Sequence, residues 1–400
     1  MTSRAISRAC VPLALLGVVC ALCAASAAED WPIYRGPSHD GISAEADWFS
    51  PGAKPKVLWS EDIGRACSSM TVIGDIVYAM GNQADKDTVY CFHAASGKKL
   101  WEFSYAEKLE PKMYEGGPNA TPTVDGGRVY TISKSGKVFC LDASSGKKVW
   151  GVQLAAKKPT WGYAGSILTV GEKLVVNAGA HGTALDKASG KVVWDSGKGP
   201  GGYSTPVPVE RDGKTVVVLF SAKEAVAVHA DTGAVVWKHP WVTSWDVNAA
   251  DPVIVEPAKK VFISSGYNHG CAMLDVSGAE PKVLWSNKNM RNKHTNSVFW
   301  QGAIYGFDEN TLACLDAADG EVKWKKSGLG KGSLMLADGK LIILSDKGEL
   351  VIAEATGAGY KELSRGPVLK GPCWTAPVLA NGRIFARTKT GTLSCSTFGK

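Results

Sequence analysis

Residues 119–152 read NATPTVDGGRVYTISKSGKVFCLDASSGKKVWGV. The turn signals DGG, KSG and SSG cut this stretch into four short segments, TPTV, RVYTIS, KVFCLDA and KKVWGV, each alternating or running in β-branched, aromatic and apolar residues. Each turn holds a glycine able to take positive φ beside an Asp or Ser that can bond its own backbone, the chemistry of tight hairpin connections. The stretch predicts an antiparallel four-stranded meander.

Its closing phrase, CLDASSGKKVW at 140–150, recurs as CFHAASGKKLW (91–101), ALDKASGKVVW (184–194), AVHADTGAVVW (227–237) and CLDAADGEVKW (314–324), with a stretched copy, MLDVSGAEPKVLW, at 273–285. One small sheet cannot cover both of its own faces, so the copies must stack on one another. Trp59, Trp101, Trp150, Trp194, Trp237, Trp285 and Trp324, followed by Leu363 in YKELSRG, count them at spacings of 39 to 49 residues. Four strands at that period describe propeller blades. After Trp374 the chain writes only three strands, TAPVLA, GRIFART and GTLSCST. The missing fourth is PKVLWSEDI at 55–63, which predicts an all-β, eight-bladed ring closed by an N-terminal strand, with no sheet edge left between its ends.

Ahead of the ring, Arg4 and Arg8 precede the apolar run VPLALLGVVCALCAA and a small-residue cleavage pattern, so 1–28 reads as a signal peptide and 29–54 as a lead-in to the propeller at 55–400. Neither Cys20 nor Cys23 follows the small residue that a lipoprotein signal needs. The expectation is a periplasmic or secreted protein, monomeric and without a transmembrane segment. With 45% hydrophobic and 21% charged residues the chain can bury a large core. Its formal charge falls from +7 to +5 without Arg4 and Arg8, and no block concentrates Lys and Arg, which argues against nucleic acid as a partner.

The phrase D-A-x-S-G-K-x-x-W resembles the repeat of the quinoprotein (PQQ-like) family of eight-bladed propellers across residues 55–400, and WPIYRGPSHDGIS at 31–43 is similar to the start of many of its secreted bacterial members. The resemblance implies one of two roles. One branch of the family holds PQQ-dependent alcohol and sugar dehydrogenases; the other holds non-catalytic propellers such as the BamB-type scaffold.

Function is sought where the copies disagree. The loops entering each first strand, and those between second and third strands, share one face and carry Tyr105, Tyr114, Trp161, Tyr163, Tyr203, Trp241, Trp245 and Trp374 with His181, His269 and His294. Aligning the blades on Thr-Pro places Cys67, Asn119, Ala164, Tyr203, Ala249, Thr295, Lys331 and Trp374 at one position near the axis. The expected ligand-binding residues are Asn119, Tyr163, Tyr203, Trp245, Asn248, His294, Lys331 and Trp374, taking a protein or small-molecule ligand with no cofactor and no metal. The dehydrogenase alternative needs PQQ and calcium; the nearest donors for them are Glu115, Asn119, Asp246, Asn248 and Asp251, of which Asp251 equally reads as a strand-start residue. Neither an adjacent cysteine pair nor a C-x-x-C-H is present. Cys91, Cys140, Cys314 and Cys395 share one repeat position with Ala184, Ala227 and Ala353 and read as small core-fillers. Cys67 and Cys373, one alignment step apart at the ring closure, are either a disulfide pinning the seam or two separate rim thiols.

Overall fold

The computed structural model describes residues 1–2, 29–111, 116–257 and 259–399. Most of the expected signal peptide, together with Tyr114 and Glu115, lies outside them. The repeat at 119–152 forms Thr123–Asp125, Arg128–Ile132, Lys137–Asp142 and Lys148–Gln153, paired antiparallel in sequence order. Seven such blades follow the chain, at 71–106, 123–153, 168–195, 207–240, 253–287, 298–326 and 333–367. In the eighth, Val378–Ala380, Arg383–Arg387 and Thr392–Thr397 are completed by Lys56–Asp62, antiparallel to Thr392–Thr397. The structure is an eight-bladed β-propeller closed by the N-terminal strand.

Why the phrase recurs is visible between blades. Trp101, on the outer strand of blade one, lays its ring against Gly146 in the last turn of blade two, where an added Cβ would meet the indole at 2.5 Å. That glycine also has φ of 70°, so its position is closed to other residues on two counts. The indole nitrogen of Trp101 donates to the Ala143 carbonyl of the same turn at 2.9 Å. Trp59, Trp150, Trp194, Trp285 and Trp324 each donate likewise into the next blade. S-G and W are thus the two halves of one inter-blade contact. Blade seven departs from the sequence alignment by one residue: Leu363 is skipped by a bulge, and Ser364, opposite Ile352, stands at the tryptophan position. There the Ser364 hydroxyl donates to the Ala53 carbonyl.

The Thr-Pro position builds a second device, a belt around the axis. The backbone N–H of Ser69 donates to Thr121 Oγ1, that of Thr121 to Ser166 Oγ, that of Ser166 to Thr205 Oγ1, that of Thr205 to Asp251 Oδ1, and that of Asp251 to Asn296 Oδ1, all within 3.0 Å. Thr375 Oγ1 donates to the Cys67 carbonyl and so links blade eight to blade one.

The lead-in is part of the ring. Trp31 pairs with Val72 of blade one, the Pro32 carbonyl accepts from Val124 N of blade two, and Arg35 Nη2 donates to the Ser297 carbonyl at the start of blade six. Ile33 packs with Leu168, Val175 and Val217 in the core of blades three and four, and a turn follows in which the Gly36 N–H donates to the Ile33 carbonyl, so the lead-in runs from blade two past blades three and four to blade six, with Tyr34 reaching the funnel. Ile42–Ser43 then runs parallel to Ser333–Ala337, and Glu45 takes the N–H groups of Asn381 and Gly382 in blade eight. Because Asp30 and Glu45 bind the turns between first and second strands, this bar closes the channel from the monotonous face.

The seam between blades eight and one holds no Cys67–Cys373 bridge; both residues are thiols. Cys67 faces the channel, whereas Cys373 is buried in the core shared by blades seven, eight and one and donates to the Gly371 carbonyl. The residue opposite Cys67 is Thr375, so the alignment step between the two cysteines is what keeps them apart. The seam is occupied instead by Arg387, fully buried, whose guanidinium donates to the carbonyls of Met80 (2.5 Å) and Gly64 (2.9 Å).

Candidate functional site

Above the bar, on the irregular face, the axis opens into a funnel of about 560 Å³, the size of a small-ligand site. Of the eight positions aligned from sequence, Cys67, Asn119, Ala164, Tyr203, Ala249, Lys331 and Trp374 line it; Thr295 does not, and its neighbours Lys293 and His294 do. The lower wall is the belt itself, Thr121, Ser166, Thr205, Asp251 and Thr375, and Tyr34 from the lead-in reaches the floor.

Five of the residues expected to bind ligand, Asn119, Tyr203, His294, Lys331 and Trp374, therefore share this cavity. Three do not line it. Tyr163 is buried in the core of blades two and three, its hydroxyl donating to Ala156 O. Asn248 is fully buried, its amide donating to the carbonyls of Ser221, Ala222 and Trp241 and accepting from Ser265 Oγ. Its polar groups are spent on holding the loop between blades four and five. Trp245 stands on that loop 64% exposed, two residues from Val247 in the funnel wall. Tyr34, Tyr267, Lys293 and Lys389 belong to the site and were not singled out from sequence.

The wall is divided electrostatically. One arc is aromatic: Trp161 and Tyr203 have ring centroids 6.0 Å apart, and Tyr267 continues the surface. The other is basic. His294 stacks on Trp374 at 4.6 Å and 12°, Lys389 Nζ lies 3.6 Å and Lys331 Nζ 5.8 Å from the Trp374 centroid, and Lys293 Nζ lies 4.6 Å from that of Tyr267. Burial, followed by the charges of Lys293, Lys331 and Lys389, pushes His294 down to about 3, so it is neutral near pH 7.

Among the described residues, one carboxyl group lies in the funnel. Burial pushes Asp251 up to about 7, against the pull of Arg35, the Thr205 N–H and the Asn296 amide. Its Oδ1 accepts from Thr205 N at 2.7 Å and its Oδ2 from Asn296 Nδ2 at 3.3 Å, while the same amide reaches Tyr34 Oη at 3.3 Å. Asp251 is the blade-five member of the belt and at the same time lines the funnel. Among the described residues, no three His, Cys, Asp or Glu side chains converge as metal ligands.

A family model described as outer membrane protein assembly factor BamB matches residues 85–326 and 309–395. The chain belongs to that family. Among solved structures, BamB from Moraxella catarrhalis is 18% identical, with a TM-score of 0.64 over 86% of this chain and 100% of that one. The quinohemoprotein alcohol dehydrogenase of Comamonas testosteroni is 13% identical (TM-score 0.72, 94% of this chain, 81% of that one), and a europium-containing methanol dehydrogenase is also 13% identical (TM-score 0.71, 92% and 98%). At these identities the likeness is one of fold, shared between a BamB and two enzymes. No curated protein matches the chain. Among the described residues, no helix is long and apolar enough to cross a membrane.

Proposed function

We propose that this BamB-family chain works outside the cytoplasm as a binding propeller without chemistry of its own, taking a protein or other ligand at its funnel face. The observation that carries this reading is the funnel's lining: aromatic faces and lysines, with a single carboxyl group among the described residues, already committed to the belt. Such a surface offers contact area and charge and, among the described residues, has no positioned acid–base pair. The extracytoplasmic placement rests on the signal-like N-terminus and on the family.

The dehydrogenase alternative requires calcium, which takes six to eight oxygen ligands, several of them carboxylate. The donors do not fit it. Asp251 is hydrogen-bonded through both oxygens, Asn248 is spent below the surface, Asp246 does not line the funnel, and Asn119 lines it three blades away from Asp251; Glu115 lies outside the described residues.

Two measurements test the proposal. Purified protein given PQQ and calcium should show no dye reduction with alcohols or sugars, and turnover would overturn the non-catalytic reading. A photo-crosslinking residue placed at 245 should capture a product in envelope extracts that is lost when Ala164→Trp fills the funnel. Capture indifferent to Ala164→Trp would remove the funnel from the account.

A further inference from the structure

We infer that the funnel takes the C-terminal end of a polypeptide, with its terminal carboxylate between Lys293 and Lys331, its last, apolar side chain against Trp161, Tyr203 and Tyr267, and its preceding residues passing over Trp245. The inference rests on the reading of the funnel as the binding site and names its ligand.

Three features converge on a chain end. First, the funnel is blind. The lead-in turn at 33–36, with Tyr34 at the funnel floor and the Arg35 side chain bonded to the Ser297 carbonyl, closes the lower end, so a chain cannot thread through, and a space of about 560 Å³ admits a few residues of one strand more readily than both arms of a loop. Second, two lysines of the basic arc, Lys293 and Lys331, have no ion-pair partner among the described residues, and each lies over an aromatic ring at the funnel wall. An anion held there gains charge-assisted hydrogen bonds in a setting partly withdrawn from water. The aromatic arc continues from Lys293 through Tyr267 to Tyr203 and Trp161, so the anion and an apolar group must lie within a few ångströms of each other in the ligand. A C-terminal apolar residue has that arrangement in every polypeptide, and capture of the terminal carboxylate is a recurrent recognition mode. Third, the apolar surface does not stop at the mouth. Val242 and Trp245 are 58% and 64% exposed on the loop that supplies Val247 to the wall. A small carboxylate swallowed by the funnel leaves them in water, whereas the residues upstream of a chain end cover them.

The test uses an octapeptide of Gly and Ser ending in Leu-Phe, dye-labelled at its N-terminus and followed by fluorescence anisotropy. Three forms are compared: free carboxylate, C-terminal amide, and an amide carrying an internal Glu. The free acid should bind saturably, with both amides weaker by about tenfold or more. The double variant Lys293→Ala, Lys331→Ala should lose the same factor at an unchanged melting temperature. Trp245→Ala should weaken the peptide several-fold and leave phenylpropionate, measured by competition, unaffected. No saturable binding of the acid, equal binding of acid and amide, or indifference to the lysine pair would each overturn the inference. A Glu-bearing amide as tight as the acid would overturn the chain end in favour of an acidic side chain, and phenylpropionate as tight as the peptide would overturn the polypeptide. Where acid and amide bind alike but Ala164→Trp abolishes both, only the chain-end assignment falls; where Ala164→Trp changes nothing, the funnel itself is not the site.

Discussion

The indole nitrogen of Trp59 donates to the Ala94 carbonyl at 2.8 Å, and the same ring lies against Gly97. A side chain on the strand that completes blade eight thus docks on the last turn of blade one. The contact is the ordinary inter-blade latch, used here to close the ring. Trp59→Ala removes packing and a hydrogen bond together and is expected to cost about 3 kcal/mol. Trp245→Ala, on an exposed rim position, should stay within about 0.5 kcal/mol of the parent. Denaturant melts of the two variants check the difference, and equal losses would remove the distinction between scaffold and rim tryptophans.

Arg387 supports the same seam from inside. It is buried with carbonyl oxygens for partners, and burial lowers its pKa to about 10, which still leaves it charged near pH 7. Replacing a buried ion pair by apolar groups is often harmless because both charges leave together. Here the partners are backbone atoms that stay behind. Arg387→Met should therefore destabilise by about 2 kcal/mol, removing the guanidinium donor from the Gly64 carbonyl and leaving the Met80 carbonyl with the more distant Ser68 hydroxyl at 3.4 Å. A variant as stable as the parent would show that these carbonyls find other partners.

Asp251 gives the belt a pH dependence of defined sign. Its folded pKa of about 7 lies above the ordinary 3.8, so between these values the folded state holds a proton that the unfolded chain has lost. Stability from this group is fully present below about pH 4 and is lost as pH rises through 7, at most about 4 kcal/mol. Asp251→Asn removes the titration while Asp87, His39 and His294 titrate alike in both proteins. The stability of the parent relative to Asp251→Asn should fall from pH 5 to pH 8, measured by denaturant unfolding at each pH. A constant difference would mean that Asp251 is ionised throughout.

The fold was legible because its determinants are local and repeated: S-G and W, Thr-Pro, and a glycine in each turn. Even the closing strand could be assigned by counting what the C-terminus lacked. The one-residue slip at Leu363 arose where the tryptophan itself was missing and a bulge decided the register. At the site, the Thr-Pro alignment brought Asn119, Tyr203, Lys331 and Trp374 together because ring position follows from repeat position. Tyr163 and Asn248 were indistinguishable in sequence from exposed rim residues, since their burial depends on how each loop folds back. Tyr34 and Arg387 act on partners 262 and 307 or more positions away in sequence, and no local pattern announces such contacts.

The cysteines supply the last prediction. Seven lie among the described residues; Cys67 alone is partly exposed, at the funnel wall, and the other six are buried. Burial pushes Cys91, Cys271, Cys373 and Cys395 up to about 12 and Cys314 to about 11, so these thiols are both inaccessible and unionised near pH 8. Only the thiolate reacts with a maleimide at a useful rate, and only where the reagent can reach it. Native protein lacking residues 1–28 should therefore take one label, at Cys67, and seven after unfolding in denaturant without reductant, counted by mass spectrometry. A ligand seated in the funnel should slow that single native reaction. Five labels in denaturant, with peptides containing Cys67 and Cys373 joined, would establish the seam disulfide that the structure does not have.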